Sequence, residues 1–180
     1  MLIPLFLATG AFYLQNRVDR RQEIIVAERY EQEVRIADER AKQAILDSYL
    51  DNMQVLLLDK GLREASENSE VRSVARAITT KTIKELDPER NDLLIRFLRE
   101  SNLIQASDNV EGTPATKKPS LLAGLNLRGV DLRGVDLSSA NLTGTNLIDA
   151  NLYFSNLSQI DLKLVPNFFQ VAAVCLKRLR

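Results

Sequence analysis

The chain has 180 residues, which at about 150 residues per domain allows one domain or two small ones. Its 24 basic residues equal its 24 acidic residues, so the composition is neither that of a disordered acidic tail nor that of a basic nucleic-acid-binding protein. Histidine is absent and Cys175 is the only cysteine, which excludes histidine-based triads and metal sites, zinc fingers and an internal disulfide.

Residues 1–14 carry no charged side chain and are mostly apolar. A helix over residues 2–14 would span only about 20 Å of a hydrocarbon core roughly 30 Å thick. Arg17, Arg20 and Arg21 follow this run, whereas a secretory signal peptide carries its basic residues before it. The order predicts a membrane-anchor-like segment over residues 1–14 with the rest of the chain on the cytoplasmic side. The alternatives are a buried helix of a soluble domain and a helix lying in the membrane interface.

Residues 15–44 contain seven basic and seven acidic side chains and neither glycine nor proline. This composition predicts a long, exposed, charged helix. Small apolar residues recur at spacings of three and four, which also suits weak coiled-coil self-association; they are Ala27, Tyr30, Val34, Ala37, Ala41 and Ala44. A solvated spacer helix is the alternative.

Residues 45–105 predict a small domain of three amphipathic helices. The first ends at Lys60 and Gly61, the second covers residues 70–85, and the third begins with Asp87 as N-cap and Pro88 as its first residue. Apolar residues predict the buried faces, which are Ile45, Leu50, Met53, Leu56 and Leu57 in the first helix, Val71, Val74, Ala75, Ile78 and Ile83 in the second, and Leu93, Leu94, Phe97 and Leu98 in the third. Residues 106–120 include two prolines and lack an apolar period, which predicts a linker.

A period of five residues runs from Leu125 to residue 164 in eight consecutive units. The first position is apolar or small, the second is Asn or Asp, and the third is always leucine: Leu127, Leu132, Leu137, Leu142, Leu147, Leu152, Leu157 and Leu162. Five matches neither the helical nor the strand period, so each unit is a short extended piece plus a corner, and four units close one square coil. The leucines are expected to fill the coil, and the Asn and Asp side chains to bond nearby backbone groups.

The units resemble the A(D/N)LXX motif of the pentapeptide-repeat family, whose members form a right-handed quadrilateral β-helix. The resemblance implies a mixed fold: an N-terminal apolar segment and long α-helix with a small helical domain, then a short β-helix over residues 121–164. Residues 1–105 are similar to the N-terminal region of membrane-associated, cyanobacterial-type members of this family, with an apolar segment, a helix rich in Arg and Glu, and the stretch YLDNMQVLLLDKGLR at residues 49–63.

Residues 165–180 predict a cap helix for the open end of the solenoid. The run after Pro166 is apolar and ends with basic residues, as at a helix C-terminus. A basic amphipathic helix returning to anionic lipid is the alternative.

The sequence offers no nucleophile and base pair and no phosphate-binding glycine loop, so we expect no catalysis, cofactor or metal. It favours a membrane-tethered scaffold or protein-interaction module with an unidentified protein partner and no nucleic acid. Self-association is expected through residues 27–44 or through the solenoid end. Fourth- and fifth-position residues that face outward form the candidate partner surface: Arg128, Arg133, Ile148, Tyr153 and Phe154.

The resemblance also implies an alternative function, inhibition of a DNA topoisomerase such as gyrase by DNA mimicry. Residues 121–164 carry three basic and four acidic side chains, a net charge of −1. Two coils are only about 10 Å tall. Both features disfavour mimicry of a long acidic duplex.

Overall fold

The computed structural model describes the backbone of residues 3–105, 120–160 and 165, and the side chains of the same residues from 22 onward. Three helices are present in this part of the chain: α1 is Ile3–Leu58, α2 is Glu70–Glu85 and α3 is Pro88–Glu100. The contacts separate two compact units, Met1–Ala41 and Lys42–Arg180.

The first unit belongs to helix α1, which contains both the predicted anchor-like segment and the predicted charged helix. The side chains of residues 22–41 are all exposed in the single chain, which agrees with the long, exposed helix predicted from their composition. No helix in the described part of the chain is both long and apolar enough to cross a membrane.

In the second unit, α1 ends shortly before the stop predicted at Lys60 and Gly61. Gly61 has φ +61°, a conformation that glycine adopts without a steric penalty, and the chain reverses there. The buried guanidinium of Arg72 holds the following loop, donating to the carbonyl oxygens of Leu62 and Ala65, each at 3.2 Å.

A capping side chain begins each of α2 and α3, and the cap of α3 is the one that the sequence predicts. Ser69 is the N-cap of α2 and its hydroxyl accepts from the backbone N–H of Arg72 at 3.3 Å. Asp87 is the N-cap of α3 and its carboxylate accepts from the N–H of Arg90 at 2.9 Å. The predicted bounds of α2 and the predicted start of α3 are confirmed.

The predicted buried faces of these two helices are wrong at two positions. Val74 is 43% exposed and Leu93 is 49% exposed, whereas Thr79 and Asn91 are fully buried. Polar contacts explain the difference: the Tyr49 hydroxyl and the Thr79 hydroxyl lie 3.0 Å apart, and Asn91 faces the repeat. Tertiary packing therefore selects a face that also contains polar residues.

The repeat forms stacked coils in which each residue lies beside its counterpart four units later. Parallel bridges join residues at the second position of successive coils: Asn126 with Asn146, Asp131 with Asn151, and Asp136 with Asn156. These are isolated bridges, and residues 120–160 contain no continuous strand, because each extended piece is interrupted by a corner.

The helices and the coils of the second unit share one hydrophobic core, which extends from Leu46 in α1 to Leu152 in the second coil. The sequence, by contrast, predicts a helical domain and a repeat that are separate segments joined by a linker. Residues 106–119 of that linker lie outside the described part of the chain, but Ser120 is buried and its hydroxyl accepts from the N–H of Leu122 at 3.1 Å. The predicted cap helix also lies outside the described residues, apart from Val165.

Candidate functional site

Every corner of the described coils is held by a side chain at the second position. Each Asn or Asp accepts a hydrogen bond from the backbone N–H two residues later, at 3.0 to 3.3 Å. This confirms the structural role predicted for these side chains, and it occupies one oxygen of each in maintaining the coil.

The fifth position has a positive φ in each of the seven units from residue 125 to residue 159. Glycine occupies it at Gly129, Gly134 and Gly144, with φ near 70°. Ser139, Asp149, Phe154 and Gln159 adopt the same conformation with φ between 56° and 60°. A side chain in this region costs roughly 1 kcal/mol or more relative to glycine, so each of these four residues is strained.

Leucines of the third position fill the interior of the coils. Six are buried, with at most 3% exposure: Leu127, Leu132, Leu137, Leu142, Leu147 and Leu152. Leu157 is half-buried against the same core, and Leu162 lies outside the described residues. Thr145 brings a hydroxyl into the first-position column, where it donates to the carbonyl of Leu122 at 2.7 Å and is satisfied.

The N-terminal end of the first coil is capped by the helical part of the chain. In the second coil, the carbonyl of Asn151 accepts from Leu132 of the coil before it. The equivalent carbonyl of the first coil, Asp131, has no preceding coil and accepts instead from the Asn91 side chain at 3.2 Å. Other backbone groups at this end are bonded as well. Arg76 donates to the carbonyl of Ala123, and Arg99 donates to the carbonyl of Asp136. The N–H of Asp136 donates to Asp92, and the N–H of Asn141 donates to the carbonyl of Ile104.

Asp136 makes several of these contacts with α3. Its N–H donates to Asp92 at 3.0 Å, and its carboxylate accepts from Arg99 at 2.7 Å. A hydrogen bond from the Ser138 side chain lowers the pKa of Asp136 against the effect of burial, and the Ser138 N–H and Arg99 lower it further. The carboxylate therefore stays ionised where α3 meets the coil.

The capping residues were not found from the sequence. The backbone groups at an open solenoid end need hydrogen-bond partners, so the sequence does predict a cap. That requirement is met equally well by the C-terminal tail, and it does not identify α2 and α3 as the cap. Nothing in the local pattern of Asn91 or Arg99 distinguishes them from ordinary solvated helix residues.

The two arginines of the candidate partner surface are engaged within the coils. Arg128 of the first coil pairs with Asp149 of the second at 3.0 Å, and Arg133 pairs with Asp131 at 2.7 Å. Both pairs are well exposed, so they stabilise the fold only weakly. Ile148 and Tyr153 are half-buried.

Phe154 differs from every other residue of this surface. Its side chain is 94% exposed although its backbone has φ +60°. The other strained fifth positions have polar partners: Asp149 pairs with Arg128, and Ser139 donates to Gln159 at 3.2 Å. Among the described residues, the ring of Phe154 has a ring contact with Tyr153, with centroids 6.3 Å apart and planes at 45°. The chain thus places a bulky aromatic side chain in a strained conformation without burying it.

Residues 126–163 match the family model for pentapeptide repeats in eight copies. No curated protein and no solved structure matches the chain. Pentapeptide-repeat proteins are generally structural or interaction modules rather than enzymes. The matched range agrees closely with the eight units deduced from the sequence, which run from Leu125 to residue 164.

The described residues contain no group of three or more His, Cys, Asp or Glu side chains that could hold a metal ion. A cleft of about 380 Å³ between α1 and α2 is lined mainly by apolar and hydroxyl side chains, with Lys81 and Glu85 at its edge. The repeat suggests a module that acts by interaction.

Proposed function

We propose that this chain is a membrane-tethered, non-catalytic module that binds another protein through the repeat surface around Phe154. The observation that carries the proposal is the conformation of Phe154, which is strained and almost fully exposed. Strained residues that bury nothing within their own fold are characteristic of contact sites. A phenylalanine ring that enters a partner's apolar pocket contributes strongly to binding.

The test is affinity capture from detergent-solubilised native membranes with the full chain, comparing wild type with Phe154→Gly. Glycine removes the ring and also the strain, so the variant is expected to fold at least as well as wild type. We expect proteins captured by the wild type to be lost with Phe154→Gly. Gln159→Gly, at another exposed fifth position of the second coil, is the matched control and should retain them.

Equal capture by wild type and Phe154→Gly would contradict the proposed contact. Loss of capture by both glycine variants would show that a change of coil backbone, rather than the ring, is responsible. Hydrogen exchange of the repeat in each variant establishes that the coils remain folded.

The tether is supported by the uncharged residues 1–14, by the three arginines that follow them, and by the resemblance of residues 1–105 to membrane-associated family members. We expect the full chain to pellet with membranes in carbonate, and a chain beginning at Gln15 to remain in the supernatant. Protease added to sealed vesicles should reveal the soluble part on the cytoplasmic side. A full chain that stays in the supernatant would contradict the tether.

We infer that the coils have the right-handed quadrilateral form of pentapeptide repeats. The offset of four units between bridged residues and the corner at every fifth residue support this form. In that form fourth- and fifth-position side chains point outward, as Phe154 does.

We also propose self-association through residues 27–44 of helix α1. Support comes from exposed apolar side chains on this helix, such as Tyr30 at 67% and Val34 at 50% exposure. An isolated helix gains stability when such a face is packed. Sedimentation of the full chain in detergent should show an oligomer that Val34→Glu dissociates and that Ile36→Glu, outside the seam, leaves intact. A monomer at all concentrations would contradict this proposal.

A further inference from the structure

A shallow trough lies where helix α2 passes the first coil of the repeat. Its volume is about 460 Å³. The residues that line it are Arg76, Ala77, Thr80, Lys81 and Lys84 of α2, with Gly124, Leu125 and Asn126 of the coil. Phe154 is not among these residues and lies in the unit of residues 150–154.

The trough is lined by three cations and by no carboxylate. Arg76 donates to the carbonyl oxygen of Ala123, a neutral group, so its charge is not compensated there. Within the described part of the chain, Lys81 and Lys84 make neither an ion pair nor a hydrogen bond. The two acidic residues of α2, Glu70 and Glu85, do not line the trough.

The charge of Arg76 also affects a neighbouring basic residue on α2. Burial lowers the pKa of Arg72, the charge of Arg76 one turn away lowers it further, and the carboxylate of Glu67 acts in the opposite direction. Like charges at this spacing on a helix are mutually destabilising. An anionic partner in the trough would relieve that repulsion.

The shape of the trough distinguishes among anionic partners. Residues 76–84 extend over about 12 Å of helix, which exceeds the span of a single phosphate group and corresponds to three or four residues of extended chain. The side-chain oxygen of Asn126 accepts from the N–H of Arg128, and its amide N–H groups remain available to a peptide carbonyl. Leu125 and Ala77 are apolar residues of the same lining.

We propose that this trough binds an extended acidic segment of a partner protein, with carboxylates facing Lys81 and Lys84 and a backbone carbonyl facing Asn126. The inference does not rest on the contact at Phe154 and can fail separately from it. The trough would be a second binding surface on the same folded unit, cationic where the surface at Phe154 is aromatic.

The test uses the full chain in detergent and a fluorescently labelled peptide of ten glutamates, followed by anisotropy. Exposed ion pairs contribute roughly twofold to fivefold each in affinity, so Lys81→Gln with Lys84→Gln should raise Kd by about fourfold to twenty-fivefold. The matched control, Lys60→Gln with Arg63→Gln, removes two exposed charges from the loop after α1 and should change Kd by less than about twofold. Added salt should weaken wild-type binding more than that of the trough variant.

Absence of peptide binding, or equal loss in the trough and control variants, would overturn the proposal. Vesicles containing phosphatidylglycerol are the competing probe. If they bind the full chain through Lys81 and Lys84 while the peptide does not, the trough is a lipid-binding surface and the proposal is wrong. Capture experiments with Phe154→Gly are unaffected by either outcome, so the two surfaces are judged independently.

Discussion

Individual residues in the repeat either stabilise the coil or project from its surface, and the backbone conformation at each position distinguishes the two roles. Asn and Asp at the second position are committed to the corners, where they accept backbone hydrogen bonds. At the fifth position, glycine is the residue that the positive φ favours, so any other side chain needs a physical reason. Asp149 and Gln159 have polar partners, whereas Phe154 extends into solvent.

Replacing Phe154 by glycine should therefore stabilise the isolated protein. We expect the free energy of unfolding to rise by roughly 0.5 to 1 kcal/mol, since relief of strain exceeds the added entropy of glycine in the unfolded chain. Phe154→Ala keeps a Cβ at the positive φ and should give no such gain. Urea titrations followed by circular dichroism measure both variants, and a destabilised Phe154→Gly would show that the ring packs within the fold.

A pH dependence is expected at Asp136, whose pKa is lowered in the folded state. A lowered pKa stabilises the fold above the unfolded value of about 3.9, and that stabilisation is lost as the pH falls through the folded pKa. At neutral pH, Asp136→Asn should cost up to about 1 kcal/mol, because the ion pair with Arg99 is partly exposed. The difference between wild type and variant should shrink below about pH 4. A difference that stays constant through the acidic range in urea titrations would contradict this explanation.

Among the elements, helices α2 and α3 act as the cap of the first coil. Their polar side chains supply the hydrogen bonds that a preceding coil would otherwise make. This arrangement explains why Asn91, a residue usually found on surfaces, is fully buried in α3. It also explains how so short a solenoid ends without exposing its backbone on this side.

Substitution of Asn91 tests the cap. Its amide donates to the carbonyls of Ile83, Leu86 and Asp131, so Asn91→Ala leaves buried acceptors without partners. We expect a loss of about 2 to 4 kcal/mol in the free energy of unfolding. Asn52→Ala removes an exposed amide on α1 and should change stability by no more than about 0.5 kcal/mol. Similar costs for the two variants would mean that the cap contributes little.

At the scale of the whole molecule, the second unit has one core shared by helices and coils. A shared core and shared hydrogen bonds predict a single cooperative unfolding event rather than separate helical and repeat transitions. Hydrogen exchange measured by mass spectrometry should give similar opening free energies for the α2–α3 segment and for residues 125–157. Exchange of the coils at much lower free energy, with the helices still protected, would contradict cooperative unfolding.

The sequence by itself determined the features that arise from short-range chemistry. The bounds of α2, the start of α3 at Asp87 and Pro88, the exposure of residues 22–41 and the five-residue period all depend on nearby residues. The role of the Asn and Asp corners is equally local, because each bond joins a side chain to the backbone two residues away.

Tertiary structure decided which face of each helix is buried and what ends the solenoid. Val74 and Leu93 are exposed because α2 and α3 turn polar side chains toward the coil, where unpaired backbone groups need partners. The bond between Asn91 and Asp131 joins residues 40 positions apart, and the ion pair between Arg99 and Asp136 joins residues 37 apart. A local pattern contains no information on such pairings, since they exist only after the coil and the helices are packed together.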